Sequence, residues 1–292
     1  MPKLPFHTSN DAIVEQLVPF VVTPRFHLAA LELAPFGVPI VEHVDPLALA
    51  SETFLTTLER LDAMTFGPEG MPMPRWVFFD AAELPACIVG FGQRARALRP
   101  KAREVLGVPA DYEGLVPLSM YIALPTYEPD VWFGHNLASL APVLAERDPN
   151  GLDLRGLGSI TKAYALKAMR AKRLYGATQW ASTALFIHTK FGPLGLDTAY
   201  TPAHSELETL TYWFDVTDVA LRATMGDEAV HLDRPKPDFW LSSHDVPGMQ
   251  RLQARIEAGE SFVIPAQPRR AGDGNEVPVT RVDRETARRG AP

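Results

Sequence analysis

The sequence predicts an α+β fold: a mixed, mostly antiparallel central sheet flanked by helices, with additions at both ends. Three observations carry that prediction. Apolar runs of strand length follow one another across polar breaks too short to hold a crossover helix, as in VPLSMYIALP, TYEPD and VWFGHNLASLAP. An amphipathic stripe of Phe54, Leu55, Leu58 and Leu61 puts a helix ahead of those strands. A single strand-helix-strand pattern, opening near Arg155, comes after them. With 292 residues, 46% of them hydrophobic, the chain has the material for one large core or two smaller ones.

Residues 1–37 read as an N-terminal extension. It holds a helical piece, DAIVEQLVPFV, then a proline-flanked loop and LAALELAPFG. VPIVEHVD reads as a strand, with Val38, Ile40 and then Glu42 or Val44 alternating along it. Pro46 opens the helix LALASETFLTTLERLDAMTFG, which Gly67 stops. In RWVFFDAAELPACIVGFG the runs Trp76–Phe79 and Cys87–Phe91 flank a polar break, a hairpin signature. A basic helical insert, RARALRPKAREVLG, precedes the second antiparallel pair, and the polar loop ERDPNGLD follows it. Beyond the helix that opens at Arg155, YGATQW reads as a strand and STALFIHTKFGPLG as a helix with glycine exits. TAYTPAHSELETLTYWFDV reads as two strands around a charged turn. The expected organisation is a main domain over 38–216, an addition packed on it over 217–266 that includes the helix MQRLQARIEAG, and a tail over 267–292. That tail, rich in Arg, Gly and Pro, is expected to be disordered.

Formal net charge is −7, which argues against an overall field that would hold nucleic acid, although a local basic patch remains open to phosphate. No segment approaches the roughly 20 apolar residues of a membrane span, and MPKLPFHTSND lacks the apolar stretch of a signal peptide. Cys87 is the only cysteine, so no internal disulfide forms, and a reducing cytoplasm is the expected compartment. Its run, PACIVGF, makes it a buried structural residue rather than a nucleophile.

The stretch RGLGSITKAYALKAMRAKRLYGATQW concentrates the functional question. Gly156 and Gly158 stand where a strand would turn into a helix, and a helix start offers unpaired N–H donors and a positive dipole end suited to pyrophosphate. Leu157, Ile160, Ala163, Leu166 and Met169 give a packing face, while Lys162, Lys167, Arg170, Lys172 and Arg173 form a basic cluster. The pattern is neither a Walker loop nor the dinucleotide fingerprint. Read alone, it equally describes a helix cap with a solvated charged face.

The layout from Val38 to Val216 resembles the GNAT-type N-acyltransferase superfamily. In that family a loop of pattern Gln/Arg-x-x-Gly-x-Gly/Ala binds the coenzyme A pyrophosphate through backbone amides. Here Gly156-Leu157-Gly158 matches the glycine half, Asp153 stands where Gln or Arg is expected, and Arg155 is the nearest substitute. The resemblance therefore implies Arg155, Gly156, Leu157, Gly158, Ser159, Ile160 and Lys162 as the cofactor-binding set. It also implies acyl-CoA, or the phosphopantetheine of an acyl-carrier protein, as co-substrate, with no metal. The family's Ala-x-x-x-Tyr-x-Lys-x-Gly-Phe pattern aligns with Ala184, His188, Lys190, Gly192 and Pro193, so His188 replaces the tyrosine that protonates the leaving thiolate. An imidazole can donate that proton, or be a helix-surface residue with no role.

His135, in VWFGHNLASL, falls on or beside the strand where the family places its general base or a water-linked substitute. A strand histidine bonded to backbone is the alternative. Glu128 in PTYEPDVW is a second candidate base, or a solvated turn residue. His204 with Glu206 and Glu208, and His43-Val44-Asp45, lack the third ligand and the spacing of a familiar metal site. Ser182-Thr183 reads as a helix cap, and no Gly-x-Ser-x-Gly elbow exists. The expected activity is transfer of an acyl group to a small-molecule amine by direct attack, with an acyl-carrier protein as one partner and a homodimer surface as one use for the extra segments. A catalytically inactive GNAT-like binding protein for a thioester or a protein partner is the alternative. A lyase or thioesterase is a third reading without diagnostic spacing.

Overall fold

The computed structural model describes residues 3–8, 10–69, 73–74, 87–140, 154–201 and 208–283. Its helices are α1 (Asp11–Gln16), α2 (Glu52–Phe66), α3 (Pro100–Leu106), α4 (Leu157–Ala168), α5 (Ala184–His188), α6 (Asp218–Thr224) and α7 (Val246–Glu257). Its strands are β1 (Val18–Val22), β2 (Glu42–Val44), β3 (Cys87–Arg94), β4 (Leu115–Pro125), β5 (Val131–Ser139), β6 (Arg173–Gln179), β7 (Leu194–Thr198), β8 (Thr209–Asp215), β9 (Phe239–Ser242), β10 (Ser261–Ile264), β11 (Arg269–Ala271) and β12 (Gly274–Val282). The predicted α+β class, with a mixed, mostly antiparallel sheet and flanking helices, is what forms. β1 and β2 pair in parallel, whereas β1–β3, β3–β4, β6–β8, β7–β8, β7–β10, β10–β12, β11–β12 and β9–β12 pair antiparallel.

The chain divides into two compact units. Unit 1 is Met1–Asp130, Gly134–Ala171 and Met225–Glu228. Unit 2 is Val131–Phe133, Lys172–Thr224 and Ala229–Pro292. The N-terminal segment supplies a strand to the first unit, and everything after Ala229 belongs to the second.

In unit 1 the strands run β5-β4-β3-β1-β2. β4 has nine consecutive buried residues, so both of its faces are covered. Register shows which helix covers which face, because residues directly opposite each other point to the same side. Phe20, Gly90 and Met120 are in line across β1, β3 and β4, and Phe20 meets Phe54 of α2 with ring centroids 5.1 Å apart. The alternate set, Phe91 and Ser119, meets α4: Phe91 packs on Tyr164 at 5.0 Å, and Ser119 hydrogen-bonds Thr161 at 2.6 Å. The sheet therefore lies between α2 and α4.

The expected helix DAIVEQLVPFV stops at Gln16, and VPFVV is strand β1. Its valines suit a pleated strand, and the strand places Phe20 and Val21 at zero exposure. The strand expected in VPIVEHVD is shorter, Glu42–Val44. The helix after Pro46 begins as a 3-10 turn at Leu49–Ser51. The expected strand Trp76–Phe79, the loop ERDPNGLD and Asp153 lie outside the described residues.

In unit 2 the strands run β11-β12-β10-β7-β8-β6, and β9 also pairs with β12. Residues 269–282, expected within a disordered tail, instead form β11 and β12. Val277 and Val279 alternate into the core with no exposure, while the arginines that suggested disorder lie on the outer face or pair with carboxylates, as Arg269 does with Glu276. Trp180 is fully buried and donates from Nε1 to the Ala199 carbonyl at 2.8 Å. Asn275 of β12 donates to the Trp180 carbonyl at 3.0 Å and to that of Ser182 at 3.2 Å. The Asp245 carboxylate caps α7 by accepting from the Gly248 amide at 2.9 Å, with Pro247 in the first turn.

Gly90 is the tightest test of the unit 1 packing. A Cβ there would run into the Ser119 carbonyl oxygen and lie 2.5 Å from Phe20 Cζ. Because a neighbouring strand's backbone cannot give way cheaply, Gly90→Ala is expected to cost about 3 kcal/mol, read as a lower urea midpoint with an unchanged slope. Gly67→Ala, with open space around it, is the control expected to leave the midpoint in place.

Candidate functional site

Gly156 sits at the N-cap of α4 with φ +86°, in the left-handed region that favours glycine, so the sharp entry into the helix depends on this residue. Gly156 and Arg155 are exposed, whereas Leu157, Gly158, Ser159, Ile160 and Lys162 are buried. Eleven of the twelve residues of α4 are buried. The basic face expected to be solvated is thus interrupted at Lys162, whose ammonium lies 5.6 Å from the centroid of the Tyr121 ring with no exposed surface. Loss of hydration pushes the Lys162 amine well below the ordinary lysine range. Arg173 leaves the cluster altogether: it belongs to unit 2, bonds Asp215 at 2.6 Å and stacks on Trp213 at 4.6 Å.

Two segments remote in sequence flank the glycine. Asn10 Oδ1 would lie 3.7 Å from a Cβ placed on Gly156. Asn10 and Thr8 are tied to the returning chain: Asn10 Nδ2 and Thr8 Oγ1 donate to the Met225 carbonyl at 3.0 and 2.8 Å. Gly226, with φ +85°, permits this approach, since a Cβ there would stand 2.6 Å from Asn10 Nδ2 and 2.7 Å from Thr8 Oγ1. Sequence reasoning missed this neighbourhood. The polar run Thr8-Ser9-Asn10-Asp11 was its one visible sign.

His135 is on β5, and its position follows from its neighbour. Asn136 Nδ2 donates to Asp62 Oδ1 of α2 at 2.5 Å, so Asn136 points to the α2 side of the sheet. Alternation then turns His135 to the opposite face, the one covered by α4. The His135 ring keeps exposed surface, yet the protein around it lowers its pKa below the usual 6.5, and the open surface keeps that effect limited. At neutral pH the imidazole is therefore an available base.

Glu128 lies exposed in the β4–β5 turn, where its amide donates to Thr126 Oγ1. His188 ends α5 in unit 2. It is 7% exposed, and its ring lies 5.0 Å from that of Tyr212. His135, Glu128 and the residues from Arg155 to Lys162 thus share unit 1, and His188 belongs to unit 2.

The remaining sequence candidates settle into structural roles. His43 Nε2 lies 2.7 Å from the Thr23 carbonyl, and the Asp45 carboxylate accepts from the Leu47 amide at 3.0 Å. Ser182 Oγ accepts from the Ala184 amide at the start of α5. Cys87 is buried, which pushes its thiol up to about 12 and keeps it from acting as a nucleophile. His204 and Glu206 lie outside the described residues, among which no metal-binding group of three or more ligating side chains occurs.

Asp62 is a further residue that sequence reasoning passed over. Although charged, it occupies a buried position of α2 at 2% exposure, accepting from Asn136 and, at 2.7 Å, from the Met73 amide. It is the anchor that turns His135 the other way.

No protein-family model matches the sequence, and no curated protein matches it. Solved structures do align with it. An aminoglycoside 6'-acetyltransferase type Ii is 12% identical, over 59% of this chain and 94% of its own, with a TM-score of 0.37. A putative acetyltransferase of the GNAT family from Desulfovibrio desulfuricans is also 12% identical, over 59% and 96%, with a TM-score of 0.35. An IAA acetyltransferase from Bacillus cereus is 15% identical, over 54% and 91%, with a TM-score of 0.28. At these scores the likeness carries no chemistry, which must come from the residues of this chain.

Asp62 yields a signed prediction. Burial raises its pKa above 3.8 in the folded state, against the lowering effect of its two hydrogen bonds. The native protein therefore holds the proton more tightly than the unfolded chain, and stability falls as pH rises from 3.8 through the raised native value. Asp62→Asn removes that titration. Urea unfolding across pH 3.5 to 7 is expected to show a downward component in the wild type that is missing from the variant.

Proposed function

We propose that the protein is an acyltransferase that moves an acyl group from acyl-CoA, or from an acyl-carrier protein, to a small-molecule amine by direct attack. The observation that supports this reading best is the pairing of two features on one face of the unit 1 sheet: the left-handed glycine start of α4 and the low-pKa imidazole of His135. The exposed Gly156 and Arg155 at the helix start suit the pyrophosphate of the donor. His135, neutral at pH 7, suits removal of a proton from the acceptor's ammonium.

In the proposed sequence His135, directly or through a water, takes one proton from the ammonium. The free amine attacks the thioester carbon, the new C–N bond forms, and charge gathers on the carbonyl oxygen. The nitrogen gives up its second proton to solvent, and collapse of that intermediate breaks the C–S bond and releases a thiolate, which takes up a proton. Glu128 is the alternative base in the turn before β5.

A second reading, binding of a thioester without turnover, is favoured by one specific feature. Asn10 stands beside Gly156, and the first helical turn behind it is buried. That arrangement narrows the room in which a pyrophosphate would lie.

Thiol release from acetyl-CoA and from longer acyl-CoA, measured with a panel of amines, separates the readings. For the enzyme, kcat/KM is expected to rise with pH to a plateau, with its acid-side midpoint below 6.5 because the free base is the active form. His135→Ala is expected to lose about 10²- to 10⁴-fold. Saturable calorimetric binding without thiol release would select the binding-only reading. Absence of both binding and release with acyl-CoA and acyl-carrier protein would sink both.

A further inference from the structure

Unit 2 carries a cavity of about 780 Å³ that neither the glycine turn nor the candidate histidines use. All of its lining residues belong to that unit. Its aromatic surface is the half-buried indole of Trp213; Phe191 and Phe214, stacked at 5.1 Å, are nearly fully buried behind the lining. Trp213 reaches its position because residue 195 is glycine. A Cβ on Gly195 would stand 2.6 Å from the indole Nε1. Val219 and Val263 extend the apolar lining.

The cavity also holds a cation. Arg234 lines it and is fixed there by two carbonyls, with Nη2 donating to Thr189 at 2.9 Å and Nη1 to Pro265 at 3.1 Å. Those bonds satisfy part of the guanidinium's five N–H donors but none of its charge. Among the described residues no carboxylate pairs with Arg234. The other charged groups of the lining are engaged or open to water: Arg281 pairs with Glu260 at 3.1 Å, Asp215 with Arg173 at 2.6 Å, and Asp233 is exposed. Partial loss of hydration lowers the Arg234 pKa, as expected where no anion offsets the charge.

A pre-formed cavity with a half-buried indole and one anchored, charge-unmatched guanidinium is built for a specific kind of molecule. We propose that it binds a small amphipathic carboxylate, with a flat apolar body against Trp213 and Val219 and its carboxylate on Arg234. Cavity size accommodates a two-ring body with space for substituents. The site stands independently of acyl transfer, because its lining includes none of the residues proposed for that reaction.

Calorimetry on the full chain at pH 7 with 2-naphthoate and its neutral counterpart 2-naphthamide tests the proposal. Saturable one-site binding of 2-naphthoate is expected, at least tenfold tighter than that of the amide. Arg234→Gln is expected to weaken the acid at least tenfold and leave the amide unchanged. Because Arg234 also holds two backbone carbonyls, a second variant guards against a folding defect. Val219→Glu, at a lining position that is 52% exposed, sets a negative charge at the rim and is expected to weaken the acid several-fold without unfolding the protein. Lack of saturable binding by 2-naphthoate overturns the proposal. So does equal affinity for acid and amide, or an acid affinity unchanged in Val219→Glu.

Discussion

Strand β4 must be covered on both faces, and much of unit 1 follows from that requirement. Nine successive buried positions leave no side that water can occupy, so the sheet needs a helix on each. α2 and α4 meet that need, and the register through Phe20, Gly90 and Met120 assigns α2 to one face and α4 to the other. Small residues make the contact close: Gly90 admits Phe20, while Ser119 reaches Thr161 through a buried hydrogen bond. Apolar burial supplies the driving force, at about 25 cal/mol per Å². The buried hydroxyl pair sets where the helix sits along the strand.

Polar groups inside this sandwich carry the positional information. Tyr164 donates to the Val38 carbonyl at 2.8 Å and so ties α4 to the segment before β2. Asp62 holds both the Met73 amide and Asn136. Each is a buried group whose partners cannot be exchanged for water, so each fixes a geometry more firmly than apolar contact does. The orientation of His135 is a by-product: once Asn136 is tethered toward α2, the pleat sends the preceding side chain to the α4 face. A candidate base is thereby positioned by a carboxylate on the far side of the sheet. Lys162 belongs to the same economy. Its stem packs within the core, and its ammonium lies over the Tyr121 ring, a weak substitute for hydration.

Much of the fold was legible because its signals are local. The runs in β4 and β5, the stripe of α2, the glycine ahead of α4 and the helix MQRLQARIEAG all came through as periodicity or turn chemistry. The misreadings share a cause. VPFVV joined a helical pattern because apolar residues next to DAIVEQ fit either period. Residues 269–282 looked disordered because the tail around them is rich in Arg, Gly and Pro, yet six of the nine residues of β12 are buried, Val277 and Val279 among them. In both cases partner strands, not local composition, decided the outcome. The candidate site divides in the same way. Gly156 and His135 were visible as residue types, whereas Asn10, Asp62 and Arg234 act through neighbours from 11 to 215 positions away.

By itself, the sequence determined the class of the fold, the glycine-led start of α4 and the burial of Cys87, since each depends on side-chain pattern within a short window. Tertiary structure alone decided that Lys162 faces the core rather than solvent, that Asn10 stands beside Gly156, and that Arg234 holds its charge in an apolar cavity. The physical reason is that burial and charge pairing are properties of a residue's surroundings. Those surroundings come from segments that only folding brings together.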